Sequence, residues 1–238
     1  MVFLYANTAK PPFDDIRMRQ AYAQGVDWQG LADAVFGPGS VAPYNFTLEG
    51  TDLYTPEATL PPYDPDAAQA LIDEYVAEKG GPVVINQLAF QQSLDQARGE
   101  FIQTALSQLD NIEFNLTVND SPTNIGLVLA GDYMVSSWGF PVVAADPGPY
   151  NSAFSKALTN YSKYSNPDVD AALLEARATD DKATQVAAIQ RVFTQLAKDI
   201  PYYPYVKTAN GFVTSPALHG AVVYEDGILR TDLIWKDG

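Results

Sequence analysis

Strand patterns and helix patterns alternate along most of this chain, and that alternation constrains the fold more than any other feature. The segment Val83–Phe90, in which six of eight residues are apolar, has the pattern of a strand, and a helix pattern begins at Ser93. From Ile112 to Val118 apolar residues alternate with polar ones, which is the pattern of a strand with one wet face. A third strand pattern covers Tyr133–Trp138. Strands that alternate with helices predict an α/β fold built in layers.

Helix boundaries are marked by capping residues and by prolines. Asp64-Pro65 and Asn166-Pro167 each place a capping side chain before a proline in the first turn. A cap is also expected at Asp14 for the first helix. The stretch 38–63 predicts a long loop that either lines a binding cleft or packs over a surface. From Asn210 onward the chain shows short strand-like pieces and no helix pattern, which indicates a different structural unit.

The composition excludes several classes of function. With 14 Lys and Arg against 29 Asp and Glu, the formal charge is −15, and that sign repels nucleic acid. No run of about 18 apolar residues occurs, so we expect no membrane insertion by this segment. Cysteine is absent and His219, typical of a surface loop, is the only histidine. These counts argue against a thiolate or multi-His metal site and a Ser-His hydrolase. We therefore expect no catalytic residue, metal or cofactor.

Four blocks resemble family 5 solute-binding proteins, the dipeptide and oligopeptide binders of ABC importers. Residues 7–21 resemble the family stretch N-x-x-x-x-P-F-D-D-x-R-V-R-Q-A, and residues 63–72 resemble Y-D-P-E-K-A-K-x-L-L. Residues 164–174 are similar to Y-x-N-P-E-V-D-x-L-L, and residues 199–205 to D-A-P-x-I-P-L-Y. The blocks follow the family order and cover most of the chain.

The resemblance implies a periplasmic-binding-protein-like fold of the two-lobed type II class. Complete members are about twice as long as this chain, so the resemblance identifies it as a C-terminal portion. By that interpretation, residues 1–12 are a crossover segment from a first lobe, residues 13–205 form the second α/β lobe, and residues 206–238 return to the first lobe. Three tyrosines near the end of the second lobe are expected in its hinge-side core: Tyr202, Tyr203 and Tyr205.

The resemblance also indicates a ligand loop after a strand. The family pattern G-W-x-A-D-Y-x-D-P places an Asp that pairs with a peptide's α-ammonium group three residues after the Trp. Here Pro141 stands three residues after Trp138, and Asp146 comes later, so the ammonium partner is displaced or absent. The loop nevertheless gives our candidate ligand-binding residues: Trp138, Gly139, Phe140, Asp146 and Tyr150.

The implied function is capture of a peptide or another small polar solute for an ABC permease in the membrane, by a monomer outside the cytoplasm. The location would be the periplasm or the cell surface, with a lipid anchor upstream left open. Two alternatives stay open. A glycoside hydrolase would need a facing pair of carboxylates, and no motif among the 29 acidic residues selects one. A protein-interaction module would bind no small ligand.

Overall fold

The computed structural model describes residues 2–138, 148–207, 214–222 and 229–237. The chain divides into two compact units, Met1–Lys207 and Thr208–Gly238. The division of the chain among lobes of a larger protein stays a prediction.

The first unit contains five strands and eight helices among its described residues. The strands are β1 (Val2–Ala6), β2 (Val83–Phe90), β3 (Ile112–Asn119), β4 (Val135–Trp138) and β5 (Tyr202–Val206). The helices are α1 (Ile16–Gln24), α2 (Trp28–Phe36), α3 (Pro65–Lys79), α4 (Ser93–Leu106), α5 (Ser121–Ala130), α6 (Gly148–Ala153), α7 (Pro167–Arg177) and α8 (Lys182–Asp199). This content confirms the α/β fold.

The five strands form one mixed sheet in the order β3-β2-β4-β1-β5. Strands β3, β2 and β4 are mutually parallel, whereas β1 runs antiparallel to both β4 and β5. In the register, Leu4 lies opposite Ser137 of β4 and Tyr203 of β5. Strand β1 falls in the predicted crossover segment 1–12 and lies inside this sheet.

Several helix boundaries follow the predicted caps. Asp64 Oδ1 accepts a hydrogen bond from the Ala67 amide at 2.9 Å, and Asn166 Oδ1 accepts one from the Asp168 amide at 2.9 Å. The predicted cap at Asp14 is wrong by one residue. Asp15 caps α1 instead, because its carboxylate reaches the Arg17 amide at 2.9 Å.

The core is rich in aromatic side chains. The three tyrosines predicted for the core, Tyr202, Tyr203 and Tyr205, are all buried. Tyr203 packs against Tyr22 with ring centroids 4.5 Å apart and stacks on Trp28 at 6.0 Å. Buried aromatic pairs of this kind add to the stability that apolar burial alone provides.

The long loop 38–63 packs over the surface of the first unit. Gln190 of α8 donates a hydrogen bond to the Tyr54 carbonyl at 2.9 Å, and Lys182 pairs with Asp52 at 2.5 Å. The Lys207 amide donates to the Val41 carbonyl at 2.9 Å. Of the two roles open for this loop, these contacts support surface packing.

The described part of the second unit contains a short antiparallel pair, β6 (Leu218–His219) and β7 (Trp235–Lys236). The His219 ring stacks on Trp235 at 4.2 Å, and its Nε2 lies 2.9 Å from Asp237 Oδ2. His219 therefore lies at the surface as expected, but in a two-residue strand and not in a loop. Among the described helices of both units, none is long and apolar enough to cross a membrane.

Candidate functional site

A cavity of about 480 Å³ lies in the first unit, at one end of the strands of its sheet. The parallel strands β2 and β4 both end at this cavity, and helices α4 and α5 begin there. Strand β1 runs antiparallel to both β4 and β5, so the start of β1 and the end of β5 lie at the same end of the sheet. Open α/β sheets commonly bind ligands in the crevice outside the carboxyl ends of their parallel strands. The described lining residues are Val2, Phe36, Phe90, Gln92, Leu94, Asp95, Arg98, Ser121, Ile125, Ser137, Trp138 and Tyr205.

An ion pair on α4 lies at the wall of this cavity. Asp95 and Arg98 are three residues apart, so their side chains meet on one helix face. Arg98 Nη1 lies 2.5 Å from Asp95 Oδ1, and the two side chains are 1% and 13% exposed. A buried guanidinium needs such a partner, because removing a single charge from water is costly.

Asp95 also connects α4 to two strands. Its Oδ2 accepts a hydrogen bond from the Phe90 amide at 2.7 Å and another from Ser137 Oγ at 3.2 Å. Phe90 ends β2, and Ser137 stands next to the last residue of β4. The carboxylate therefore fixes the start of α4 against the strand ends that line the cavity.

Tyr205 of β5 completes the polar part of the wall. Arg98 Nη1 donates a hydrogen bond to the Tyr205 hydroxyl at 2.7 Å, and the guanidinium carbon lies 4.7 Å from the ring centroid. Burial alone lowers the pKa of Arg98, but Tyr205 and Asp95 outweigh it and hold that pKa above its usual value. Burial raises the pKa of the Tyr205 hydroxyl. The Arg98 guanidinium thus stays charged beside a neutral phenol.

Two nitrogen donors of Arg98 lack a hydrogen-bond partner among the described residues. They are its buried Nε and Nη2, and the same holds for Gln87 Nε2. Gln87 accepts from the Tyr22 hydroxyl through its other side-chain atom, at 2.5 Å. Unpaired buried donors are uncommon in folded proteins, so these atoms are an unusual feature of the first unit.

The structure separates two of the predicted site residues. Trp138 lines the cavity and packs edge-on against Tyr161, with ring centroids 4.9 Å apart. Tyr150 lies on α6, where its ring stacks on Phe154 at 4.6 Å and the Arg177 guanidinium lies 4.1 Å from its centroid. Tyr150 is not among the residues that line the cavity.

The other three predicted site residues, Gly139, Phe140 and Asp146, lie outside the described residues, as does Pro141. Their ligand-binding roles stay predictions.

Sequence reasoning missed Asp95, Arg98 and Tyr205 as site residues. A signal was present, because an oppositely charged pair three residues apart follows directly after a strand that ends in a parallel sheet. The pairing of Arg98 with Tyr205 had no sequence signal, since 107 positions separate the two residues.

The arrangement suits binding without bond chemistry. The wall combines an aromatic face at Trp138, apolar side chains and one internally paired set of charges. Within the described ranges, no group of three or more His, Cys, Asp or Glu side chains could hold a metal ion. A cavity at the carboxyl ends of parallel strands is a common place for a small ligand to bind.

Comparison with known families identifies the class. The family model described as bacterial extracellular solute-binding proteins, family 5 Middle, matches residues 1–162. The chain therefore belongs to family 5 of the bacterial extracellular solute-binding proteins. The match confirms the resemblance found in the sequence. Members of this family are binding proteins and not enzymes.

Individual relatives and structures agree with this assignment. The periplasmic oligopeptide-binding protein OppA of Escherichia coli K12 is 26% identical over 211 residues, which cover 84% of this chain and 38% of that protein. The nickel-binding periplasmic protein of the same organism is 24% identical over 245 residues, covering 91% and 44%. The chain thus spans about two-fifths of the length of these curated relatives.

The fold also matches solved structures. The oligopeptide-binding protein AppA from Bacillus subtilis, solved in complex with a nonapeptide, superposes with a TM-score of 0.85 at 16% identity. The match covers 100% of this chain and 50% of that one. This chain therefore shares its α/β fold with about half of the AppA structure.

Proposed function

We propose that this protein is the solute receptor of an ABC importer and captures a peptide or another small polar solute. The observation that carries the proposal is the cavity at the ends of β2 and β4, in a chain that belongs to a solute-binding family. In this account the cavity is one wall of a cleft between two lobes, and closure of the lobes excludes water from the solute.

We also propose a two-lobed architecture for the whole protein. Residues 1–12 cross over from the first lobe, residues 13–205 form the second lobe, and residues 206–238 return to the first lobe. A monomer of this kind works outside the cytoplasm, in the periplasm or at the cell surface, and delivers its solute to a permease in the membrane. The relatives named above as periplasmic support this location.

Peptide is the solute class with the most support, because OppA and AppA are both named oligopeptide-binding proteins. Two observations keep other solutes in the account. Pro141 stands where the family resemblance places the ammonium partner, and another relative is named for nickel binding. The proposal therefore covers a peptide first and another small polar solute second.

A thermal-shift panel on the complete encoded protein tests the function. The panel holds di- to oligopeptides, sugars, opines and Ni²⁺, with buffer alone as the control. A true solute at about 100 times its Kd stabilises the folded state by roughly 2.7 kcal/mol, which raises the melting temperature measurably. We expect a response to at least one peptide. The absence of a response to every solute class would contradict the transport function.

A further inference from the structure

The cavity beside Trp138 is mainly apolar on its described side. Six of its lining side chains are apolar: Val2, Phe36, Phe90, Leu94, Ile125 and Trp138. Two of them are open to water, because Leu94 is 52% exposed and Ile125 is 39% exposed. Removing such apolar surface from water is favourable, so the cavity favours an apolar group of a solute.

The charges of the described wall are already neutralised. Among the described lining residues only Asp95 and Arg98 carry a formal charge, and they pair with each other at 2.5 Å. Asp95 accepts three hydrogen bonds, from Arg98, from the Phe90 amide and from Ser137. A cationic group of a solute would have to compete with Arg98 for the carboxylate.

An anionic group of a solute would have to reach Arg98, which is also obstructed. The Arg98 side chain is 1% exposed, and its unpartnered Nε and Nη2 are covered by the protein. A carboxylate would have to displace the groups that cover these two atoms, and it would place a second negative charge beside Asp95. Neither sign of charge is therefore favoured at this wall.

We infer that the cavity beside Trp138 takes an uncharged, mainly apolar group of the solute, such as an aliphatic or aromatic side chain. This inference rests on the proposed function for the identity of the solute, but the cavity itself lies within Met1–Lys207 and can be probed separately.

The cavity is probed with N-phenyl-1-naphthylamine, an uncharged apolar fluorophore, titrated into the protein. Helix α5 offers a matched pair of substitutions, since Ile125 lines the cavity and Leu129, 58% exposed and one turn further on, does not. We expect Ile125→Asp to weaken probe binding about tenfold, because it places a carboxylate in the apolar wall. Leu129→Asp should stay within about twofold of the unmodified protein, as a surface substitution does.

Urea unfolding shows whether both variants fold, and Leu94→Asp gives a second variant on a different helix. Equal probe binding by the unmodified protein and by both cavity variants would overturn the inference.

A competition experiment separates this inference from the proposed function. Trileucine, trilysine and triglutamate are each added to the complete protein with the fluorophore bound, and melting temperatures are recorded in parallel. We expect trileucine to stabilise the protein and to displace the fluorophore at a concentration at least about tenfold below the other two, a difference of about 1.4 kcal/mol.

Equal or stronger displacement by trilysine or triglutamate would overturn the apolar class and leave the transport function standing. Fluorophore binding that responds to Ile125→Asp, with no stabilisation by any solute of the thermal-shift panel, would support the cavity and contradict the transport function.

Discussion

Arg98 connects two elements of the cavity wall. It neutralises Asp95 and donates to Tyr205, so one side chain joins α4 to β5. Replacing it with Met leaves the Asp95 charge unpaired in a largely buried position. We expect Arg98→Met to lower the free energy of unfolding by about 3 kcal/mol.

The matched control for this change is the double variant Asp95→Asn with Arg98→Met. Its amide oxygen can still accept from the Phe90 amide and from Ser137, and no charge is left alone. We expect the double variant to recover at least about 1 kcal/mol of the loss, measured by urea unfolding. A single variant as stable as the unmodified protein would show that the ion pair does not support this wall.

Trp138 is the predicted ligand residue that lies in the cavity. Replacing it with Leu removes the aromatic face while keeping an apolar side chain. We expect Trp138→Leu to weaken binding of the best solute from the thermal-shift panel about tenfold, as aromatic contacts at binding sites often do. Calorimetric titration measures this, with Trp235→Leu in the second unit as the control. Unchanged affinity for Trp138→Leu would remove Trp138 from the site.

Buried tyrosines make the stability depend on alkaline pH. Burial raises the pKa of Tyr202 and of Tyr203 above the usual value of about 10. Both are protonated in the folded and unfolded states below pH 10, so their contribution is complete there. Above pH 10 the unfolded chain loses these protons first, and stability falls by up to about 1.4 kcal/mol per pH unit for each tyrosine.

Tyr203→Phe removes one of these groups and tests the sign of the effect. We expect a shallower decline of the unfolding free energy between pH 9 and 11 in this variant than in the unmodified protein. Urea unfolding at three pH values measures the difference. An identical pH dependence in the two proteins would contradict a raised pKa at this position.

Among the elements, helix α3 shows how a cap determines where a helix begins. Asp64 accepts from the Ala67 amide, and Pro65 occupies the first turn, where its missing amide proton costs nothing. We expect Asp64→Ala to lower the free energy of unfolding by about 1 kcal/mol, and Asp64→Ser to lose much less. Asp66→Ala, in the same first turn, is the control, and thermal unfolding measures all three. An equal loss for Asp64→Ala and Asp66→Ala would contradict the cap.

Local signals of this kind explain which elements the sequence could predict. Caps and prolines act over three or four residues, so the starts of α3 and α7 were predictable. Helix α6 was not, because its six residues begin Gly-Pro and its position depends on contacts with α7. There the Ser155 amide donates to Asp170 at 2.8 Å, and Arg177 covers Tyr150.

The predicted burial pattern of β3 was wrong at one end of the strand. Its pattern predicted one buried face from Ile112 to Val118, and Phe114 is indeed buried. Val118, however, is 41% exposed. Strand β3 lies at the edge of the sheet, so its far end has less cover than a period-two pattern assumes.

At the scale of the whole molecule, the candidate site depends on contacts between residues far apart in the sequence. The sheet brings the start of β1 and the end of β5 together, with Phe3 opposite Pro204. The family resemblance predicted the class of protein, and it named Trp138, which lines the cavity, as a candidate ligand residue. It could not predict that Arg98 meets Tyr205, because a single sequence carries no signal for such a pair.

Hydrogen–deuterium exchange on the complete protein, with and without the solute that stabilises it most, tests the central claim most directly. We expect the solute to protect segments around the cavity: the end of β2 with the start of α4, the start of α5, and β4. Helices α7 and α8 enclose a separate groove of about 300 Å³ and serve as the internal control, with unchanged exchange. Protection confined to that groove, with none at the cavity, would contradict the account.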